Sequence, residues 1–289
     1  MKNILRSIII ILVILALGAG IGFAGSQHGA TVGAYPLFGL LVLMAFGINW
    51  LAFIPAFILQ TEKFFDLTGS ISYLTVTGLG IYLSPVQSLR GWIMAVLVAV
   101  WALRLGTFLF RRIMKDGKDG RFDELKPNFL RFLTVWTIQG LWVTLTASAA
   151  LVTITAAVDV SPGVFALLGL LLWLIGFSVE LVADRQKSRW REKPENRGKF
   201  INIGLWSRSR HPNYFGEILL WLGVAVIAFP VLQGWQYLTL ISPLFVYVLL
   251  TRVSGVNLLE QRADEKWGGQ ADYEAYKKST PVLIPRMGR

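Results

Sequence analysis

The segment Gly204-Leu-Trp-Ser-Arg-Ser-Arg-His-Pro-Asn-Tyr-Phe-Gly-Glu217 carries more chemical capability than any other part of the sequence. Arg208, Arg210 and His211 suit the oxygens of a phosphate or carboxylate. Asn213 and Glu217 offer the directed hydrogen bonds that a carboxamide requires, and Tyr214 adds a phenol. An apolar run, Ile218 to Leu232, follows at once. Polar groups this dense at the lip of a membrane helix are unfavourable unless they hold a polar ligand. Pro212 lacks an N–H and fits just inside a helix start, which places Asn213 to Glu217 on about the first helical turn, where anions are also favoured. A loop made basic by membrane topology alone would account for the arginines, but not for Asn213 and Glu217.

A second set of chemical groups lies at the ends of other apolar runs. Glu62 and Asp66 are four residues apart after the second run, and Glu180 and Asp184 repeat that spacing after the sixth, so each pair shares a face if helical. Both pairs read either as functional acids or as interfacial ion pairs. A carboxylic acid whose pKa is raised by apolar surroundings can activate a carbonyl, and Glu62 fits that role. Arg104, inside the fourth run, is too deep to snorkel comfortably and should face a cavity or a carboxylate. There are no cysteines and two histidines, His28 and His211, which excludes thiolate metal sites, disulfides and a Cys nucleophile and argues against a multi-histidine metal or haem site.

These groups need a scaffold, and composition names its class. Hydrophobic residues make up 54% of the 289 and charged residues 16%, against about 25% charged in soluble domains; mean hydropathy is +0.57. The expectation is an all-α, polytopic integral membrane bundle of seven or eight transmembrane helices with cytoplasmic ligand-binding loops. Apolar runs occur at about 7–24, 35–60, 70–84, 92–110, 129–157, 163–183, 214–232 and 235–251, the third short and Gly-containing. Lys and Arg fall almost wholly in alternate gaps: 111–127, 184–213 and the tail from Arg252 are rich, whereas 25–34, 158–162 and 233–234 have none. Eight spans with both termini cytoplasmic produce that pattern. The net charge of +11 is thereby explained, and nucleic acid is not an expected partner; the bilayer is. Residues 1–26 have some features of a cleaved signal peptide, but the apolar run is long for one, and a retained first helix is expected. Oligomeric state is silent.

Along the chain, the connection 184–213 is longer than geometry needs and should be a folded cap or ligand surface. Arg111 to Pro127, with two Asp-Gly or Gly-Asp turn signals, reads as a more flexible cytoplasmic loop. Asn257 to Tyr276 reads as one amphipathic helix on the cytoplasmic face, ended by Pro281 and Pro285. The natural division is 1–157, N-terminal helices with a substrate cavity, and 158–289, a C-terminal transmembrane domain with a cofactor site.

From Glu180 onward the sequence resembles the steroid 5-alpha-reductase (3-oxo-5-alpha-steroid 4-dehydrogenase) family, in particular its bacterial branch. The residues carrying this are Glu180-x-x-x-Asp184, Arg191-Glu-Lys-Pro, Gly204-Leu-Trp, Ser209-Arg-His-Pro-Asn-Tyr-Phe-Gly-Glu217 with Trp221, Leu258-Leu-Glu260-x-Arg262, Tyr273-x-x-Tyr276 and Ile284-Pro285. The resemblance implies a bundle open to the cytosol of a bacterial inner membrane, with NADPH held by the loops and last spans. It would put Asn213 and Glu217 at the nicotinamide, with Asp184, Arg191, Arg208, Arg210 and Arg262 at ribose and phosphates. Glu180, His211, Tyr214, Glu260 and Tyr276 complete that cofactor set, Glu180 standing where the family often has an amide. The implied reaction is hydride transfer to a C=C bond conjugated to a carbonyl of a lipophilic, steroid- or isoprenoid-like substrate. Ile58-Leu-Gln-Thr-Glu62 is similar to the segment carrying the family's carbonyl-activating Glu. The partner Tyr is absent, since Leu103 stands where it would align, and Tyr73 or Asp66 would have to supply the proton. More distantly, Arg-His-Pro-x-Tyr-x-Gly followed by an acidic helix and Tyr-x-x-Tyr resembles the isoprenylcysteine and phospholipid methyltransferases, whose cofactor is S-adenosylmethionine. A transporter or purely structural role would explain Arg104 but not the dense motif at 208–217.

Overall fold

The computed structural model describes residues 2–286. Its architecture is all-helical apart from one two-residue hairpin. Among the described residues ten α-helices follow in order: α1 (Lys2–Ser26), α2 (Leu37–Ile58), α3 (Phe65–Leu83), α4 (Leu89–Asp116), α5 (Phe129–Ile154), α6 (Val164–Glu192), α7 (Pro212–Ala228), α8 (Ile241–Val248), α9 (Val256–Trp267) and α10 (Ala271–Ser279). Strands β1 (Thr31–Val32) and β2 (Tyr35–Pro36) pair antiparallel between α1 and α2.

Among the described residues seven helical segments are long and apolar enough to cross a bilayer: Ile4–Ser26, Leu37–Ile58, Leu89–Asp116, Phe129–Ile154, Val164–Glu192, Pro212–Val231 and Gly234–Trp267. The third expected run is also a helix, α3, but its Thr and Ser content keeps it out of that set. Hydroxyls on α3 turn inward and donate to the preceding turn, as Ser72 does to Thr68 and Thr77 to Tyr73. Nineteen residues rise about 28 Å, close to the roughly 30 Å hydrocarbon thickness.

The chain divides into two compact units, Met1–Ala166 with Ile227–Ser242, and Leu167–Val226 with Pro243–Arg289. The first boundary falls after the expected 157, and the segment 227–242 joins the N-terminal unit because it packs on α1 and α5. In that unit α5 is the central helix, surrounded by α1, α2, α3 and α4. Its run Thr144-Leu-Thr-Ala-Ser-Ala-Ala-Leu-Val-Thr153 is buried throughout. Small residues let neighbours approach, and the hydroxyls bond backbone that lipid could not satisfy: Thr144 donates to Gly140, and Ser148 to Thr239 O at 2.9 Å. Arg90, the basic residue of an otherwise uncharged gap, is 2% exposed. Its guanidinium bonds the carbonyls of Val160 and Ser161 in the α5–α6 connection and of Ile227 in the last turn of α7, instead of facing solvent.

In the second unit α6 and α7 run antiparallel at a distance only glycine permits. A Cβ on Gly176 would stand 2.5 Å from Gly216 O, and one on Gly223 2.5 Å from Gly169 O. The glycines recur every seven residues on each helix, two turns apart, so the seam continues along both. At 29 residues α6 rises about 43 Å, well beyond the hydrocarbon layer. The connection expected to begin at 184 therefore starts as a helical extension of the span, followed by short 3-10 turns at Pro194–Asn196 and Gly204–Ser207. The expected single amphipathic helix at 257–276 is two, α9 and α10, because Gly268-Gly269, with φ +82 at Gly269, breaks the run.

Candidate functional site

Pro212 opens α7, so Asn213, Tyr214 and Glu217 stand on its first two turns, half-buried. Directly against this turn is α6: a Cβ on Gly216 would lie 2.6 Å from Glu180 N and 3.0 Å from Glu180 Cβ. Glu180 is 2% exposed and Asp184, one turn on, 7%. The glycine seam thus sets Glu180 of α6 against Gly216, between Asn213 and Glu217 on the first turns of α7 and more than thirty residues away in sequence.

The segment ahead of α7 is fastened from behind. Glu260, on α9, receives Arg210 Nη1 on Oε2 and approaches His211 Nε2 with Oε1 at 2.6 Å. Arg210 N donates to Pro281 O and His211 N to Val282 O, while Ser209 Oγ donates to Leu283 O at 2.8 Å and Arg286 N to Arg208 O. Tyr276 OH donates to Trp206 O at 2.6 Å. Trp206 Nε1 in turn donates to Ala183 O at 3.0 Å, and Gln186 Oε1 accepts from Leu205 N at 2.9 Å. The extended tail 281–286, α10 and the end of α6 therefore clasp residues 204–211 between them.

This arrangement redistributes the expected roles. Arg210, His211, Glu260 and Tyr276 hold one another and the backbone. Burial lowers the pKa of the His211 imidazole, outweighing the opposing pull of Glu260, so the ring is neutral with its proton on Nε2 toward the carboxylate. Two buried atoms of this cluster, His211 Nδ1 and Arg210 Nε, have no hydrogen-bond partner among the described residues. The His211 ring stacks on Tyr214, centroids 5.6 Å apart and planes 8° apart. Burial pushes the Tyr276 phenol far above its ordinary range, so it acts as a donor at any physiological pH. Arg191, Arg208 and Arg262 are exposed on the same unit.

The acids of the N-terminal unit meet different surroundings. Glu62, 4% exposed, lies in the turn between α2 and α3, where Lys126 Nζ donates to Oε2 and Asp119 N to Oε1, each at 2.7 Å. Burial alone would raise its pKa, but those two bonds outweigh it and hold the carboxyl below the usual range. The expectation of a raised-pKa acid at Glu62 is not met: the residue is an anion that staples residues 117–128 to the helical bundle. That segment is correspondingly fixed rather than flexible, with Phe122 packed into a cluster of Phe53, Phe65, Phe132 and Trp136. Asp66 opens α3 with Arg112 Nη2 3.9 Å away. Tyr73, 9% exposed, meets Trp101 edge-on, and its OH donates to Trp142 O at 3.4 Å. Arg104 lies over the ring of Phe108, 5.7 Å from its centroid. Among the described residues no group of three His, Asp or Glu side chains is placed to hold a metal.

The sequence reading missed the glycine pairs, the hydrogen bonds of Gln186 and Ser209, and the clasping role of 281–286. The heptad spacing of Gly169/Gly176 and Gly216/Gly223 is the signal that could have found the first; the others have none in local pattern.

Fold and site together define a polytopic helical membrane protein with a half-buried polar motif at the start of one span. The chain belongs to the family described as Protein of unknown function (DUF1295), which it matches over residues 52–280, motif included. It is 30% identical over 120 residues to 3-oxo-5-alpha-steroid 4-dehydrogenase 1 of Bos taurus, a match covering 41% of each chain, and 30% identical to that of Rattus norvegicus, covering 41% of this chain and 40% of the relative. An uncharacterized protein of Schizosaccharomyces pombe is 25% identical over 232 residues, 70% of this chain and 65% of that protein. The chain thus spans about two fifths of the length of the steroid dehydrogenases it matches. No solved structure matches it.

Proposed function

We propose that this protein is a membrane-embedded reductase that uses NADPH to saturate a C=C bond conjugated to a carbonyl on a lipophilic substrate. The observation that carries the reading is the first turn of α7. There Asn213, Tyr214 and Glu217 flank Gly216, which packs on Glu180, directly after a segment that Glu260 and the tail clasp from behind. The names of the cattle and rat relatives, redox enzymes of an apolar ketone, support the same class.

The residues present fit the cofactor. Asn213 and Glu217 would hold the nicotinamide carboxamide, Asp184 the ribose, and the exposed Arg191, Arg208 and Arg262 the phosphates. The orphaned Arg210 Nε and His211 Nδ1 supply a further donor and acceptor. Bound there, NADPH would supply a hydride, and the apolar helices would keep water from it. Since Glu62 is committed to Lys126, Asp66 is the proposed proton donor, with Tyr73 second. The cytosol would be the side of cofactor access, with both termini on it.

The test is titration of detergent-solubilised protein with NADPH, NADH and S-adenosylmethionine by calorimetry. NADPH should bind more tightly than NADH. Asn213→Ala and Glu217→Ala should each abolish detectable binding, and Arg191→Ala should weaken NADPH more than NADH. Binding of S-adenosylmethionine with none of NADPH would replace the reductase by a methyltransferase.

A further inference from the structure

We propose that a cavity between α1 and α5 binds the phosphate of an anionic phospholipid. The cavity, of about 420 Å³, lies wholly within the N-terminal unit, and its size is that of a small-molecule site, about 300–1,000 Å³. From α1 it is lined by Arg6, Ser7 and Ile10, and from α5 by Arg131, Thr134 and Val135. Two exposed guanidiniums thus open onto one space whose buried hydroxyls, Ser7 at 7% and Thr134 at 8% exposure, give it a polar floor beside apolar walls. Thr134 spends its proton on Leu130 O at 2.7 Å.

What matters for this pair of arginines is the lack of a counter-charge within the cavity they share. By contrast, Lys126 is matched to Glu62, Arg112 to Asp66 and Arg210 to Glu260. No acidic residue lines this cavity, and no described carboxylate is paired with Arg6 or Arg131. Two guanidiniums converging without a carboxylate repel one another until an anion joins them, and the guanidinium fork fits phosphate oxygens. Arg131 is also the third residue of α5, where the positive end of the helix dipole adds to the attraction.

Depth selects a lipid over a soluble anion. Arg6 lies at the start of the apolar span Ile4–Ser26 and Arg131 at the start of Phe129–Ile154, so the guanidiniums sit at headgroup level while Ile10 and Val135 continue toward the hydrocarbon. A phosphodiester with attached acyl chains satisfies both halves, as basic pockets between membrane helices do for acidic headgroups. The site is independent of the cofactor reading, since none of its residues belongs to the proposed cofactor set.

The experiment is native mass spectrometry and thermal shift on the solubilised full chain with phosphatidylglycerol, phosphatidylcholine or inorganic phosphate added. Phosphatidylglycerol is expected to remain bound at least tenfold more tightly than phosphatidylcholine and to raise the melting temperature. Arg131→Gln and Arg6→Gln should each reduce that preference about tenfold, leaving the lipid-free melting temperature and NADPH titration unchanged. Equal retention of the two lipids by the wild-type protein overturns the proposal, whatever the variants do. So does displacement of phosphatidylglycerol by millimolar inorganic phosphate, which would make the ligand a soluble phosphate.

Discussion

Gly216→Ala tests whether the α6–α7 seam positions the chemistry. The added methyl would stand 2.5 Å from the Gly176 carbonyl oxygen, where ordinary contact begins near 3.4 Å. The obstacles are backbone atoms of α6, which cannot rotate aside as a side-chain end would. The helices must therefore separate by about 0.9 Å, the difference between these two distances. Overpacking of this kind costs about 1–3 kcal/mol, or a fall in melting temperature of about 2–12 °C at about 2–4 °C per kcal/mol for chains approaching this size. The larger effect is on function, because Glu180 lies one turn from Gly176 and is carried away from Asn213 and Glu217. A displacement near 1 Å can reduce turnover about 100-fold. The assay is NADPH titration and enone reduction in detergent, with thermal unfolding alongside. Gly47→Ala is the control: a Cβ there meets nothing within 4 Å, so it should be neutral or slightly stabilising. If Gly216→Ala binds and turns over as the wild type does while Gly47→Ala is equally silent, the seam does not set the site and the reasoning fails.

Other expectations follow from particular residues and from the charge pattern. His211 has a pKa below its ordinary 6.5 because it is buried, with Lys187 and Arg210 adding to the shift and Glu260 opposing it; the unfolded chain takes up a proton near 6.5 that the folded one refuses. Stability should thus be complete above pH 6.5 and decline as pH falls below it, and His211→Gln should flatten the melting-temperature profile between pH 7.5 and 5; an identical slope in the variant refutes this. Lys126→Met leaves Glu62 buried without its cation, a loss of about 1–3 kcal/mol that should appear as faster proteolysis at 117–128, whereas Asp66→Asn should lower kcat about 100-fold with NADPH affinity unchanged; the reverse assignment of the two effects would return the acid role to Glu62. Reporter fusions at residues 120 and 195 should report cytoplasm and one at residue 30 the opposite side, and a periplasmic signal at 195 would end the proposed access to cytosolic NADPH.

Hydropathy and charge carried the membrane architecture into view from sequence because both are sums over consecutive residues. Each run long enough to span is visible in its own twenty positions, and even α3 appears as a short run with its glycines. The motif at the start of α7 was legible for the same reason: Pro212 fixes a helix start locally, and Asn213 to Glu217 follow within a turn. Where the reading failed, a local pattern met a distant partner. Glu62 has the sequence surroundings of an acid at the end of a span, yet Lys126, sixty-four residues on, makes it an anion. Residues 111–127 have the composition of a mobile loop, yet Phe122 and Asp119 tie them down.

By itself the sequence determined that the chain is a helical membrane protein, which runs are apolar enough to enter the bilayer, and where polar chemistry is concentrated. These follow from transfer free energies and from the fixed geometry of proline, properties a residue carries wherever the chain goes. Only the tertiary structure decided that Arg210 and His211 belong to Glu260, that the tail clasps residues 208–211, and that α6 and α7 meet glycine to glycine so that Glu180 packs on Gly216, between Asn213 and Glu217. Hydrogen bonds and close packing act over 3 to 4 Å, and which groups come within that distance is settled by the path of the chain in space.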